Sequence, residues 1–138
     1  MFVGAVTRDS LETIFTKAKQ RVNSSIQYYQ AHASGIIVSD AIEYNSAITV
    51  HPDAKISSIK PYIGHTFHVS GLVSLIFVLE GLRNKRMPPL IKHIVKPNKF
   101  LSKEHNNLLT EELELTGPVA ITNLGWGYHS HMIVSKSL

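Results

Sequence analysis

Apolar residues recur along the chain with two distinct periods. Leu11, Ile14, Phe15, Ala18 and Val22 fall three and four positions apart, which predicts an amphipathic helix running to about Val22. Asp9 or Ser10 is the expected cap, with Glu12 as the acidic residue of the first turn. A second helix is expected over Asp40 to Ala47. A third, from about Val69 to Arg83, carries Leu72, Val73, Leu75, Ile76, Phe77, Val78, Leu79 and Leu82, with almost no polar face. Short runs at Phe2 to Val6, Ile26 to Ala31, Ile56 to Ile59, Val119 to Leu124 and Met132 to Ser135 read as strands. The last two are joined through Gly125-Trp126-Gly127-Tyr128 as a hairpin. His51-Pro52-Asp53 reads as a surface turn, Pro88-Pro89 stops the third helix, and residues 91–116 read mostly as loop.

Strand, helix, strand, helix, strand, apolar helix and hairpin describe one α/β domain over 1–138: a mixed sheet, a buried central helix and a C-terminal β-hairpin. An apolar helix of this kind wants partners on both faces, and a sheet of this size covers only one. A second half-domain is therefore expected, as another chain or another piece.

Composition narrows the function. With 43% hydrophobic and 17% charged residues the chain is an ordinary globular one. Its net charge of +4 forms no dense basic stripe, so nucleic acid is not an expected partner. The run from Val69 to Leu82 is interrupted by Ser70, Gly71, Ser74 and Glu80 and is too short to span a bilayer, so no membrane is expected either. No secretory signal is legible at Met1 to Val6, which makes the cytoplasm the default expectation. Zero cysteines exclude disulfides, thiolate metal sites and a cysteine nucleophile within these residues.

The chemistry-bearing block is Ser57-Ser58-Ile59-Lys60-Pro61-Tyr62-Ile63-Gly64-His65-Thr66, at the mouth of the apolar helix. His32 closes the earlier run Ile26-Gln-Tyr-Tyr-Gln-Ala, and Asp40 and Glu43 follow it with helical spacing. Two histidines at the ends of buried elements suggest a site that handles a carbanion; a satisfied structural histidine is the plainer alternative for each, and an exposed turn lysine for Lys60. His65 with His68 and His129 with His131 invite a zinc reading, but no carboxylate or thiolate completes a set at a recognised spacing, so no metal and no cofactor is expected. Arg83, Lys85 and Arg86 suit a solvated helix C-terminus, or contact with an acidic partner.

Taken in order, these pieces resemble the C-terminal half of the β-ketoacyl-[acyl-carrier-protein] synthases, of the thiolase-like superfamily, over nearly the whole chain. The run ending in His32 is similar to the family's Glu-Ala-His-Gly-Thr strand, and Asp40 and Glu43 to its Asp-x-x-Glu. Ser57-Ser58-x-Lys60-x-x-x-Gly64-His65 is similar to its Ser-x-x-Lys…Gly-His block, and Met87-Pro88-Pro89 and Asn123-Leu124-Gly125-Trp126-Gly127 follow in the family's order. The resemblance implies a decarboxylating Claisen condensation in fatty-acid or polyketide-type biosynthesis. His32 and His65 would stabilise the thioester enolate and Lys60 would orient the site, while Gly125, Trp126 and Gly127 would line the acyl pocket. The implied partners are an acyl carrier protein and a cysteine-bearing N-terminal half, in a homo- or hetero-oligomer. The chain departs from the family at Ala33-Ser34-Gly35-Ile36, His68, Ser74 and Gly127-Tyr128-His129-Ser130. Those departures suit the rival expectation, a non-catalytic, chain-length-factor-like or scaffolding subunit that shapes an acyl pocket.

Overall fold

The computed structural model describes residues 2–3, 6–90, 106–125 and 128–135, with side chains from residue 6 onward. Five strands make one sheet in the order β1 (Phe2–Val3), β7 (Tyr128–Val134), β6 (Val119–Gly125), β2 (Tyr28–Gln30) and β3 (Lys55–Ser57). β6, β2 and β3 are parallel, in register Tyr28 to Val119 and Tyr28 to Lys55, whereas β7 runs antiparallel to β6 and to β1. The sheet is therefore mixed, and its parallel centre requires helical crossovers.

Two helices supply one covered face. α1 (Arg8–Lys19) starts at Thr7 rather than at Asp9 or Ser10, because Thr7 and Ser10 cap each other reciprocally: Ser10 N donates to Thr7 Oγ1 at 3.2 Å and Thr7 N to Ser10 Oγ at 3.1 Å. Ser10 thus takes the place expected for an acidic partner, and Glu12 instead pairs with Arg8 on the surface. α2 (Ile37–Val50) is longer than Asp40 to Ala47. Its first residues are apolar and lie ahead of the expected start; the turn before them is fixed by Asp40, so the helix begins upstream of that residue. Leu11, Phe15, Tyr29, Tyr44, Ala47, Ile56, Ala120 and Leu124 pack together between these helices and the sheet. His51, expected in a surface turn, is 2% exposed and stacks near Phe15, while Pro52 and Asp53 do face solvent.

The opposite face holds α4 (Ser70–Asn84), entered through a short helix α3 (Lys60–Ile63) and a 3-10 turn over Phe67–Val69. Val78 joins Tyr28, Met87, Leu109, Leu115, Val119 and Ile121 in a second cluster. Ser70, Ser74, Val78 and Gly81 face inward, but Leu72, Ile76 and Leu79 remain about half exposed, with Phe67 and Val69 beside them. Among the described residues, this chain covers one side of its apolar helix only. A ribbon of β4 (Arg86–Met87) and β5 (Leu113–Glu114) follows, and Leu108 bridges to Ile56. Within the stretch read as loop, 91–105 lies outside the described residues. The C-terminal hairpin is present, in register from Val119–Val134 to Gly125–Tyr128. Among the described residues no helix is long and apolar enough to cross a membrane.

Candidate active site

The parallel strands β2 and β3 end side by side, and that register brings His32 and Lys60 together. Past Gln30 the chain continues for one more sheet-like bond, Ala31 N to Ser57 O at 2.8 Å, and then turns sharply at His32. Ala33 (φ 43°) and Gly35 (φ 87°) both lie in the left-handed region, so the turn must be held from outside. α2 does this with two carboxylates one helical step apart. Glu43 accepts His32 N–H at 2.7 Å on Oε1 and Ala33 N–H at 2.9 Å on Oε2; Asp40 accepts Gly35 N–H at 2.9 Å and the Ser34 hydroxyl at 3.1 Å. The sequence marks this pair by its likeness to the family's Asp-x-x-Glu; its task is to build the turn that carries His32.

Lys60, 7% exposed, opens α3 and donates from Nζ to the His32 carbonyl oxygen. The same ammonium lies 3.5 Å from His32 Nδ1, and Asn123 Oδ1 of β6 lies 3.2 Å from that nitrogen. Asn123 reaches this position by lying across Gly71: a Cβ there would come within 2.1 Å of Asn123 Nδ2. With Oδ1 facing Nδ1 the ring proton sits on Nδ1. A half-turn of the amide presents its NH2 instead and moves the proton to Nε2, so the tautomer follows the amide.

His65 follows Gly64 (φ 80°), between α3 and the 3-10 turn. Its ring centroid is 5.4 Å from that of His32, with the planes at 81°. Its Nδ1 accepts the Phe67 backbone N–H at 3.0 Å, which places the proton of the neutral ring on Nε2. His65 is exposed and His32 buried, so the pair joins an interior ring to one at the surface.

Burial dominates the electrostatics. Desolvation, then the charge of Lys60, lowers the His32 pKa to about 4, so this ring is neutral near pH 7. Desolvation also lowers that of Lys60, opposed by the charges of Glu43 and Asp40. Glu43 is raised to about 7 by desolvation, against the two backbone N–H bonds that favour its charged form; Asp40 is raised by the same cause.

The structure thus brings His32, Lys60 and His65 together. Gly125 closes β6 in the hairpin, while Trp126 and Gly127 lie outside the described residues. Asn123 and Gly71 were not singled out by sequence. Asn123 stood in the quoted motif, but nothing in one sequence ties it to a histidine 91 positions earlier. Among the described residues no three His, Cys, Asp or Glu side chains are grouped as metal ligands would be.

Residues 4–93 match the family model for the β-ketoacyl synthase C-terminal domain. The highly reducing polyketide synthase sorA of Penicillium rubens is 36% identical over 122 residues, covering 80% of this chain and 5% of that protein. Polyketide synthase PksM of Bacillus subtilis is 37% identical over 143 residues, covering 91% of this chain and 3% of that protein. The chain therefore spans only a small fraction of the curated relatives it matches. In three dimensions it is similar to an oxazolomycin ketosynthase domain from Streptomyces albus, with TM-score 0.83 at 20% identity over 99% of this chain and 27% of that one. It is also similar to the module 1 ketosynthase of the bacillaene synthase from Bacillus amyloliquefaciens, with TM-score 0.80 at 23% identity over 96% and 28%. At these identities the likeness shows the fold, a thiolase-like half with a mixed sheet.

Proposed function

The chain belongs to the β-ketoacyl synthase C-terminal domain family, and from that membership we propose that it supplies the histidine pair of a decarboxylating Claisen condensation in polyketide-type synthesis. The observation that carries the reading is the convergence of His32 and His65, with Lys60 bound to the His32 carbonyl. A cysteine-bearing N-terminal half, from another chain or another piece, would hold the growing acyl group as a thioester. Malonyl thioester on a carrier protein would bind against the two rings. Its carboxylate carbon–carbon bond breaks, CO2 departs, and the electron pair passes to the thioester oxygen as an enolate. N–H groups on His32 and His65 aimed at that oxygen favour the charge as it develops. The enolate carbon then attacks the acyl-cysteine carbonyl; the new carbon–carbon bond forms and the cysteine thiolate leaves.

The His65 tautomer, fixed by Phe67 N–H, and the neutral state of His32 both suit hydrogen-bond donation rather than proton transfer. His32 needs its proton on Nε2 for this role, which the Asn123 amide rotation permits. Lys60 holds the His32 main chain and keeps a positive field on the site. The Gly125-Trp126-Gly127 turn would line the acyl channel.

The test is reconstitution. The chain is combined with a cysteine-bearing N-terminal ketosynthase half, acyl-carrier and malonyl-carrier proteins, and the carrier-bound product is weighed by intact mass spectrometry. A β-ketoacyl product that disappears with His65→Ala supports the reading. A folded complex that makes no product, yet alters the chain length accepted by an active synthase, supports the non-catalytic subunit instead.

A further inference from the structure

A second cluster of titratable side chains lies on the α1–α2 face of the sheet, behind the turn that carries His32. His51 Nε2 is 3.3 Å from His131 Nε2, and the rings are stacked at 14°. His131 Nδ1 is 2.8 Å from Thr122 Oγ1, which is 2.6 Å from the Tyr29 hydroxyl. That hydroxyl is 3.1 Å from Glu43 Oε1, the atom that also accepts His32 N–H. Tyr29, Thr122, Glu43 and His51 are each 2% exposed or less. Buried polar groups must satisfy one another, and here every link joins side chains with one transferable proton apiece.

Counting those protons leaves two arrangements. With Glu43 ionised, all donors point toward it: His51 Nε2–H to His131 Nε2, His131 Nδ1–H to Thr122, Thr122 O–H to Tyr29, Tyr29 O–H to Glu43. With Glu43 protonated, all donors point away from it. Glu43 donates to Tyr29, Tyr29 to Thr122, Thr122 to His131 Nδ1, and His131 Nε2–H to His51 Nε2. The His51 proton then sits on Nδ1, which has no hydrogen-bond partner among the described residues. The two states differ by one proton, and a proton added at His51 Nδ1 becomes one on Glu43 when each link passes its own proton forward. The bonds O–H and N–H that form equal those that break, plus the one added.

We propose that His51, His131, Thr122 and Tyr29 form a proton path that sets the charge of Glu43 and, through it, the backbone position of His32. Tyr29 is the positioning residue at its head. Both histidines suit the path because desolvation keeps them neutral, His51 lowered to about 4 and His131 to about 3, so each holds one movable proton near pH 7. Glu43 faces Asp40 on its own helix, Lys60 on α3 and Tyr29 on β2. His51 faces Lys19 of α1 and His131 of β7, while His32 faces Lys60, His65 and His129. Lys60 favours the ionised carboxylate and Asp40 opposes it. The path is a property of this chain's interior and does not depend on condensing activity, so failure of reconstitution leaves it standing.

The experiment is histidine-selective 15N NMR of the full chain between pH 5.5 and 8.5. Long-range proton–nitrogen correlations distinguish the two tautomers of each ring. The expected result is a His131 ring carrying its proton on Nδ1 at high pH and on Nε2 at low pH, with a midpoint shared by the His32 and Ala33 amide shifts. In Tyr29→Phe, with circular dichroism showing a folded chain, the His131 switch and the shared midpoint are lost. Thr122→Val, which keeps the side-chain shape, gives the same loss and carries the test should Tyr29→Phe unfold. A His131 tautomer that stays constant in the unsubstituted chain, or that switches unchanged in either variant, overturns the proposal.

Discussion

Replacing Glu43 with glutamine isolates the group on which the His32 turn depends. The carboxylate accepts two backbone N–H groups and the Tyr29 hydroxyl in a site 2% exposed. Glutamine keeps one acceptor but turns an NH2 toward one of the backbone N–H groups, leaving that donor unpaired at a cost of about 1–3 kcal/mol. Against this stands the carboxylate's own burial, which raises its pKa from 4.5 to about 7. The sign follows from proton binding. Between those values the native state keeps a proton that the unfolded state has released, so this group's contribution is fully present below 4.5 and is lost as pH rises through about 7. Between pH 5 and pH 8 the loss amounts to about 2.5 kcal/mol, which glutamine does not suffer. The histidines titrate alike in both proteins and cancel in the difference. Urea denaturation at pH 5, 6.5 and 8, followed by far-UV circular dichroism, should show the variant clearly weaker at pH 5 and close to the unsubstituted chain at pH 8. Parallel stability profiles would refute the reasoning, because they would mean that Glu43 titrates as an ordinary exposed carboxylate.

Three further outcomes follow from the same geometry. Stability should fall as pH drops below about 6.5, since His51 and His131 stay neutral when folded and take protons when unfolded; a His51→Asn variant should have a shallower acid limb in thermal melts. Gly71→Ala drives a methyl group into Asn123 and should displace the His32 ring, read as a changed imidazole NMR signal, while costing about 1–3 kcal/mol in urea melts. The exposed stripe of Phe67, Val69, Leu72, Ile76 and Leu79 should make the isolated chain self-associate and bind hydrophobic dye. Leu72→Asp combined with Ile76→Asp should reduce both, and dye binding unchanged by that pair would contradict the assignment.

Much of the site was legible because its three chemical residues sit in two short blocks. Lys60 and His65 are separated by one turn of helix and a glycine, and His32 closes an aromatic strand, so their order and spacing match the family's blocks and the resemblance groups them. Their neighbours were less legible. Thr7 was passed over as a cap because the reciprocal partner is a serine where an acidic residue is usual. Ile37 and Val38 carry no periodic signal that distinguishes a helix from an extended run, and only the Asp40–Gly35 bond shows where the turn ends. The apolar pattern of α4 marked a helix needing two covers, and the described residues supply one of them. His51 and His131 are 80 positions apart and meet because His51, closing α2, and His131, on β7, both pack against Phe15 and Tyr29. In isolation His51 reads as a surface-turn residue, and His131 only as the partner of His129 in an incomplete zinc pattern. A side chain whose role depends on a tertiary neighbour leaves no local mark in one sequence.

The most direct test of the histidine pair is decarboxylation, followed apart from condensation. The chain is assembled with a cysteine-bearing N-terminal half, given malonyl-carrier protein without an acyl donor, and loss of CO2 is followed by intact mass of the carrier. The account predicts turnover that falls at least about a hundredfold in His65→Ala and in His32→Ala, each with the assembly intact, as expected on removing a donor to an oxyanion. Turnover unchanged by either substitution would contradict it, because the enolate charge would then be stabilised by something other than these two rings.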